Sequence, residues 1–307
     1  MEDNPFDKAC RVMTKWEPAV MLAYLLTLYE SNFAFVRWLD ARRLAFPGQP
    51  DRTCDTVAHV ENLGENHLPW AIIVEFMIDP DALMFGRMLV YMGQLWIEEK
   101  PSTERGDRFQ LGAVIVNLRG KGGASRHHAW PEAGMETQLR IREVNLSTIS
   151  AADTLEQIAQ GKQPRIILPW IPLMQGGGES DIIERWKELA SSEPLSQRRA
   201  EFGALVQVFA EAADCEKPWE IALKEWNMIE SKVVKGWQEE ARQRALREKG
   251  LEDLIYILQE KFGNLPTEIP SHLQKIEDTN ILRQLLGQAF RASNLDEFRS
   301  MIPNGIK

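Results

Sequence analysis

Apolar residues recur along the chain at the spacings that helices and buried strands require. Within residues 5–30, Leu22 and Leu25 lie on related helical turns, and Pro18 interrupts the periodicity. This segment is therefore predicted to be a helix that is broken near Pro18. Residues 31–50 are interpreted as a second short helix followed by a strand at RRLAF, which PGQP ends.

The following segments alternate between strands and a helix. Residues 53–60, TCDTVAHV, carry β-favouring side chains. Residues 71–78, AIIVEFMI, are apolar on both alternating faces, which is typical of a central strand that is covered on both sides. Residues 82–99 have helical spacing, and residues 111–118, LGAVIVNL, predict a further buried strand. The predicted order of elements is therefore α, β, β, β, α, β.

The pattern changes at QGGGES, residues 175–180. Before this segment, residues 135–146 alternate in part and predict another strand, and residues 151–160 predict a helix. Almost every segment after it has helical periodicity. We therefore expect an α/β domain over residues 1–175 and an all-α region over residues 180–307.

Composition and charge exclude several classes of protein. The N-terminal residues lack a basic stretch followed by an apolar core, so no secretory signal is expected, and no window reaches the ~18 consecutive apolar residues of a membrane span. The widely spaced Cys10, Cys54 and Cys215 argue against disulfides and structural zinc, and predict a cytoplasmic location. Because the net charge is −9, any contact with DNA is expected to need a local positive groove.

A single glutamate, Glu75, interrupts the most apolar strand. Burying an unpaired carboxylate there is unfavourable, so we expect that a cation or a metal ion pairs with it or that a reaction requires it. Alternation places the Glu75 side chain on the same face as Ile73 and Met77. Asp55 lies in the preceding strand candidate, and antiparallel pairing would bring the two carboxylates together. Two carboxylates and a backbone carbonyl can supply oxygen ligands for Mg²⁺.

These features resemble the PD-(D/E)XK nuclease superfamily, and more narrowly its branch of recombination-promoting nucleases and transposase-like proteins. The aspartate strand is CDTVAHV with Asp55, and the glutamate strand is VEFM with Glu75. The helix that follows is RMLVY with Arg87 and Tyr91, and VIVNL at 114–118 matches the next strand. WEIALKEWNMIESKVVKGWQEEA and LIYILQEKFGNLP resemble the helical C-terminal segments of such relatives, so the resemblance covers most of the chain.

The resemblance implies both a fold and an activity. The fold is a restriction-endonuclease-like α/β (α+β) core with a mixed central sheet, followed by an all-α C-terminal region. The activity is hydrolysis of DNA by a metal-dependent phosphodiesterase. In that role Asp55, Glu75 and the backbone carbonyl of Phe76 hold a Mg²⁺ ion, while Arg87 contacts the scissile phosphate.

One position departs from the family pattern. The residue two after Glu75, usually Lys or Gln, is Met77, which cannot donate a hydrogen bond, hold a proton or position a water molecule. The expected endonuclease is therefore divergent and weak or inactive. Two compensations are open: Arg87 replaces the missing polar group, or the metal generates hydroxide with less help. The alternative is a non-catalytic interaction protein that keeps the fold, pairs Glu75 with Arg87 and forms homo-oligomers through its helical region.

The two functions predict different geometries. Carboxylates of Asp55 and Glu75 that converge in an open cleft with a positive rim would favour the enzyme, whereas a closed pair of Glu75 with Arg87 would favour the interaction protein. Asp79 or Asp81 is expected to cap the helix that follows. The adjacent histidines at 127–128 are expected to lie in a loop.

Overall fold

The computed structural model describes most of the chain, which divides into two compact units, Met1–Ser231 and Lys232–Lys307. The described ranges are 5–40, 45–46, 49–64, 67–101, 108–229, 231–276 and 278–302. Each unit contains a cluster of buried apolar side chains, so each is described by itself.

Two helices begin the first unit. The helix α1 (Pro5–Trp16) ends just before Pro18, and α2 (Pro18–Leu26) starts at that proline, whose missing N–H is tolerated at the first helical position. Leu22 and Leu25 are fully buried. The predicted helix and its break near Pro18 are therefore confirmed.

The strands of the first unit form one large sheet and two hairpins. They are β1 (Phe33–Leu39), β2 (Ala45–Phe46), β3 (Gln49–Thr53), β4 (Thr56–Asn62), β5 (Pro69–Met77), β6 (Gln110–Asn117), β7 (Arg126–Trp130), β8 (Met135–Leu139) and β9 (Arg142–Asn145). The large sheet has the order β1–β4–β5–β6–β9. Its first three strands are antiparallel neighbours, whereas β5, β6 and β9 are parallel, so the predicted mixed sheet is confirmed.

Two of the predicted elements are wrong. Residues 33–39, predicted as part of a short helix, form β1, because aromatic and β-branched side chains suit a strand and the backbone pairs with β4. Residues 135–146, predicted as one strand, form β8 and β9, since β8 pairs with β7 while β9 joins the large sheet. Of the predicted strand RRLAF, residues 42–44 lie outside the described residues and residues 45–46 form β2.

The helix α3 (Met84–Glu98) connects β5 to its parallel neighbour β6 and covers one face of the sheet. Its buried stripe includes Met88 and Tyr91, which belong to the same apolar cluster as Ile73 of β5. This packing turns every second residue of β5, including position 75, towards α3. The helix predicted over residues 82–99 is confirmed.

A proline-containing segment packs near the other face of the sheet. Residues Arg165–Leu173 form a 3₁₀ helix, because Pro169 and Pro172 lack the N–H groups that an α-helix needs. The ring of the buried Trp170 lies 6.3 Å from that of Phe76 in β5. The helices of this unit that follow the sheet are α4 (Ala151–Ala159), α5 (Ser180–Ser191), α6 (Ser196–Ala212) and α7 (Glu216–Ala222).

The glycine-rich segment 175–180 is tightly packed inside the first unit. The N–H of Gly177 donates to the carbonyl of Met174, and its own carbonyl accepts from the indole N–H of Trp219 at 3.0 Å. From Ser180 onward the described elements are helices. The expected boundary near 175–180 therefore lies inside a compact unit that continues to Ser231.

The second unit is helical in its described part. Its helices are α8 (Lys232–Phe262), α9 (Glu268–Leu273), α10 (Thr279–Arg291) and α11 (Leu295–Met301). Leu254, Leu258, Leu285 and Phe298 lie in its core. In neither unit does a described helix combine the length and the apolar character needed to span a membrane.

Candidate functional site

Strands β4 and β5 bring Asp55 and Glu75 together. Thr56 pairs with Val74 in the antiparallel register, so Asp55 and Glu75 come next beyond the same end of this pair and face each other. The backbone N–H of Asp55 donates to Oε2 of Glu75 at 3.0 Å. In return, the backbone N–H of Phe76 donates to Oδ2 of Asp55 at 2.8 Å. The structure thus places the two carboxylates side by side, each fixed by the backbone of the other strand.

Two arginines from different helices neutralise these carboxylates. Arg11 of α1 donates to Oδ1 of Asp55 through Nη2 at 2.8 Å and through Nε at 3.2 Å. Arg87 of α3 donates to Oε1 of Glu75 at 2.6 Å and to Oδ2 of Asp81 at 3.1 Å. Every carboxylate oxygen of Asp55 and Glu75 therefore accepts at least one hydrogen bond from the protein.

Burial decides the electrostatics of the site. The side chains of Glu75 and Arg87 are only 3% and 11% exposed, whereas Arg11 is 41% exposed. Burial, reinforced by the charge of Asp55, raises the pKa of Glu75 from 4.5 to about 8. Burial and the charge of Glu75 also raise the pKa of the Cys54 thiol, which disfavours a nucleophilic thiolate at this place.

The raised pKa of Glu75 predicts a pH dependence of stability. The folded protein holds this proton more firmly than the unfolded chain, so the free energy of unfolding should fall as pH rises from 4.5 to about 8. In Glu75→Gln this decrease should be smaller, because glutamine does not titrate. Urea unfolding of both proteins across this range measures the difference. Parallel pH profiles would contradict the assignment. The lowered pKa of His59 affects both proteins alike.

The site in this arrangement does not fit the Mg²⁺ ion that the resemblance implies. Mg²⁺ needs carboxylate oxygens that are free to coordinate it, but those of Asp55 and Glu75 already face N–H donors. The backbone N–H of Phe76, whose carbonyl is the third implied ligand, already donates to Oδ2 of Asp55. Among the described residues, no group of three or more His, Cys, Asp or Glu could hold a metal ion.

Other residues singled out in the sequence have structural roles. Met77 packs against the apolar cluster under α3. The carboxylate of Asp81 accepts from the N–H of Leu83 at 2.8 Å, just before α3 begins, and Asp79 pairs with Arg119 at 2.9 Å. The histidine pair at 127–128, expected in a loop, lies instead in β7, because its backbone pairs with β8.

Arg11 is the member of the site that sequence reasoning missed. It precedes Asp55 by 44 positions and lies in a helix whose pattern gives no indication of a buried acidic partner. Arg87, by contrast, is a candidate from the sequence because it lies on the helix after Glu75. The sequence allows it either to contact the scissile phosphate or to pair with Glu75. The position of Arg11 depends on how α1 packs, which no short motif encodes.

Comparisons of the chain with protein-family models, curated proteins and solved structures found no match. The fold and site define a mixed α/β protein with a partly buried network of two carboxylates and two arginines.

Proposed function

We propose that the first unit is a nuclease-like scaffold that serves in interaction and not in cleavage. Three strands of the large sheet precede α3 and one follows it at once, and Asp55 lies beside Glu75, which supports a relation to the PD-(D/E)XK superfamily. The main support for a loss of cleavage activity is that both oxygens of the Glu75 carboxylate are already bonded within the protein. One of its oxygens accepts from Arg87 at 2.6 Å, the other accepts from the Asp55 N–H, and the side chain is 3% exposed.

A buried network of this kind is hard to convert into a metal site. Two guanidinium groups already balance the charges of Asp55 and Glu75, and removing Arg87 would leave a buried carboxylate unpaired. Met77 offers no group that could activate water, and such help is worth roughly 10²–10⁴-fold in rate. We propose the interaction role because Asp55 and Glu75 are paired with arginines and Met77 stands at the position of the expected polar residue, while the α/β scaffold around them is intact.

Plasmid cleavage tests this proposal. Supercoiled DNA is incubated with Mg²⁺ or Mn²⁺ and with the wild-type protein, Glu75→Gln or Met77→Gln, after circular dichroism has shown that all three are folded. We expect no cleavage above the EDTA control from any of them. Cleavage by the wild type that Glu75→Gln abolishes would refute the proposal.

Thermal unfolding provides a second readout that does not depend on activity. An ion that binds the folded state raises Tm, and the rise grows with the logarithm of its concentration relative to its Kd. We expect the same Tm for the wild-type protein in EDTA and in excess Mg²⁺, because the carboxylate oxygens are already occupied by N–H donors. A rise in Tm with Mg²⁺ that Asp55→Asn removes would show that the ion displaces the arginines.

The second candidate is the weak Mg²⁺-dependent DNA endonuclease that the resemblance implies. The direct contact between the Asp55 backbone and the Glu75 carboxylate supports it, since the two acidic residues of the resemblance are neighbours. For this function Arg11 and Arg87 would have to leave the carboxylates, and the 41% exposed Arg11 is the easier of the two to displace. Under this candidate Met77→Gln should raise plasmid cleavage by about 10²-fold or more. DNA contact through a local groove and self-association through the helical region stay predictions.

A further inference from the structure

An open groove lies on the face of the large sheet that is opposite α3. We call it the sheet groove; its volume is about 960 Å³, within the usual range for small-molecule sites. Val60, Trp70 and Ile72 contribute to its floor, and Leu26 and Leu28 border it from the end of α2 and beyond. Trp70 and Ile72 alternate along β5 with residues that pack under α3, so the groove and the carboxylate network occupy opposite faces.

Two arginines stand together at one end of the sheet groove. Arg140 and Arg142 are both exposed and both line it. Arg142 donates one hydrogen bond to the hydroxyl of Thr27. Within the described ranges, Arg140 has no ion pair or hydrogen-bond partner. A guanidinium in this position is available to a carboxylate or another oxyanion.

The described lining carries two arginines and one acidic residue, so its formal charge is positive. Its one acidic residue is Glu143, whose Oε1 accepts from the N–H of Ala124 at 2.9 Å and whose Oε2 accepts from the side chain of Asn117 at 3.2 Å. The positive charge of the groove therefore favours a ligand whose anionic group lies near Arg140 and Arg142.

The floor of the groove favours an alkyl chain as the rest of the occupant. Strands β4 and β5 are paired on both sides, so their backbone groups are already bonded within the sheet, whereas β9 pairs with β6 only from Val114 onward. A peptide crossing the floor over β4 and β5 would lose hydrogen bonds to water without replacement, whereas an alkyl chain has none to lose. Gly112 leaves a gap in the floor: a Cβ there would stand 3.6 Å from Trp70 and 3.7 Å from Ile72, in ordinary contact.

We infer that the sheet groove binds a single-chain amphiphile with a carboxylate head group. The alkyl chain lies over Trp70, Ile72 and Gly112, and the carboxylate pairs with Arg140 and Arg142. This site is separate from Asp55 and Glu75, so it holds for either candidate function.

Isothermal titration calorimetry with decanoate, kept below its micelle-forming concentration, tests the site. We expect saturable binding to the whole chain, weakened about tenfold in Arg140→Gln, because one charge-assisted hydrogen bond is lost. Gly112→Leu should abolish binding, because its side chain fills the gap in the floor. Arg126→Gln, which alters an exposed arginine in β7, is the matched control and should bind like the wild type.

Head-group specificity decides the chemical class. Decyltrimethylammonium and octyl glucoside should bind at least about tenfold more weakly than decanoate, since neither pairs with a guanidinium. Absence of decanoate binding, equal binding of the three amphiphiles, or an unchanged affinity in Arg140→Gln would overturn the inference. Binding of an alternating valine and glutamate peptide without any binding of decanoate would also overturn it. Arg140→Gln is the decisive variant if Gly112→Leu does not fold, because its side chain has no partner among the described residues.

Discussion

Replacing Arg87 by methionine is expected to lower the free energy of unfolding by about 3–5 kcal/mol at pH values above the pKa of Glu75, which is about 8, the usual cost of leaving a buried charge unpaired. Arg87 is the cation nearest to Glu75, at 2.6 Å, and it also pairs with Asp81 at 3.1 Å. Methionine keeps much of the aliphatic part of the Arg87 side chain. The loss in free energy of unfolding therefore measures the contribution of the guanidinium group and not that of apolar packing. Urea unfolding monitored by circular dichroism provides the measurement.

An exposed arginine supplies the matched control for this substitution. Arg119 pairs with Asp79 at 2.9 Å, yet the two side chains are 39% and 68% exposed. Arg119→Met should therefore cost less than about 1 kcal/mol. Equal losses from Arg87→Met and Arg119→Met would show that the buried network contributes nothing beyond a surface pair.

The pH dependence of the Arg87→Met loss tests its cause. Because the pKa of Glu75 is about 8, its carboxyl is protonated towards the lower end of the range between pH 4.5 and 8. The loss should therefore be smaller there and larger at the upper end, where an unpaired anion is left buried. Adding Glu75→Leu to Arg87→Met should restore part of the stability, since a buried ion pair can be exchanged for apolar side chains at little cost.

Gly177→Ala is expected to be the most damaging of the small substitutions, with a loss of about 3 kcal/mol or more. A Cβ at this position would stand 2.1 Å from the carbonyl oxygen of Ile171 and 2.8 Å from that of Pro172. Both atoms belong to the backbone of the 3₁₀ helix, so the clash cannot be relieved by a change of rotamer. The glycine-rich segment 175–180 would have to shift away from the 3₁₀ helix that carries Trp170.

The same substitution in α3 is the control. A Cβ at the exposed Gly93 meets no atom within 4 Å, so Gly93→Ala should raise the free energy of unfolding by about 0.5–1 kcal/mol. Chemical unfolding of Gly177→Ala and Gly93→Ala therefore should show changes of opposite sign. A Gly177→Ala protein as stable as the wild type would mean that segment 175–180 adjusts like an ordinary surface loop.

The two faces of the large sheet have separate chemical characters. The face towards α3 holds Asp55 and Glu75, whose charges are balanced internally by two arginines. The opposite face holds the sheet groove, where Arg140 and Arg142 outnumber the one carboxylate of the described lining, Glu143. Substitutions at Arg87 and at Arg140 are consequently expected to act independently, the first on stability and the second on ligand binding.

The fold was predictable wherever one segment carried a strong pattern. The apolar run around Glu75 predicts β5, and the helical spacing around Tyr91 predicts α3, because each element buries side chains at its own period. The strand β1 was missed because only its two end residues, Phe33 and Leu39, are fully buried, which leaves no regular alternation. Its conformation depends on pairing with β4, which is distant in sequence.

The sequence by itself determined that Glu75 points to the same face as Ile73 and Met77, since alternation along a strand is a local property of the backbone. It also narrowed the partner of Glu75 to a metal or to Arg87, which lies on the next helix. Only the tertiary structure decided which cations pair with the two carboxylates, by bringing Arg11 of α1 to Asp55 and Arg87 to Glu75. The physical reason is that a buried carboxylate requires a compensating charge, and which cation lies within hydrogen-bonding distance depends on packing between elements far apart in sequence.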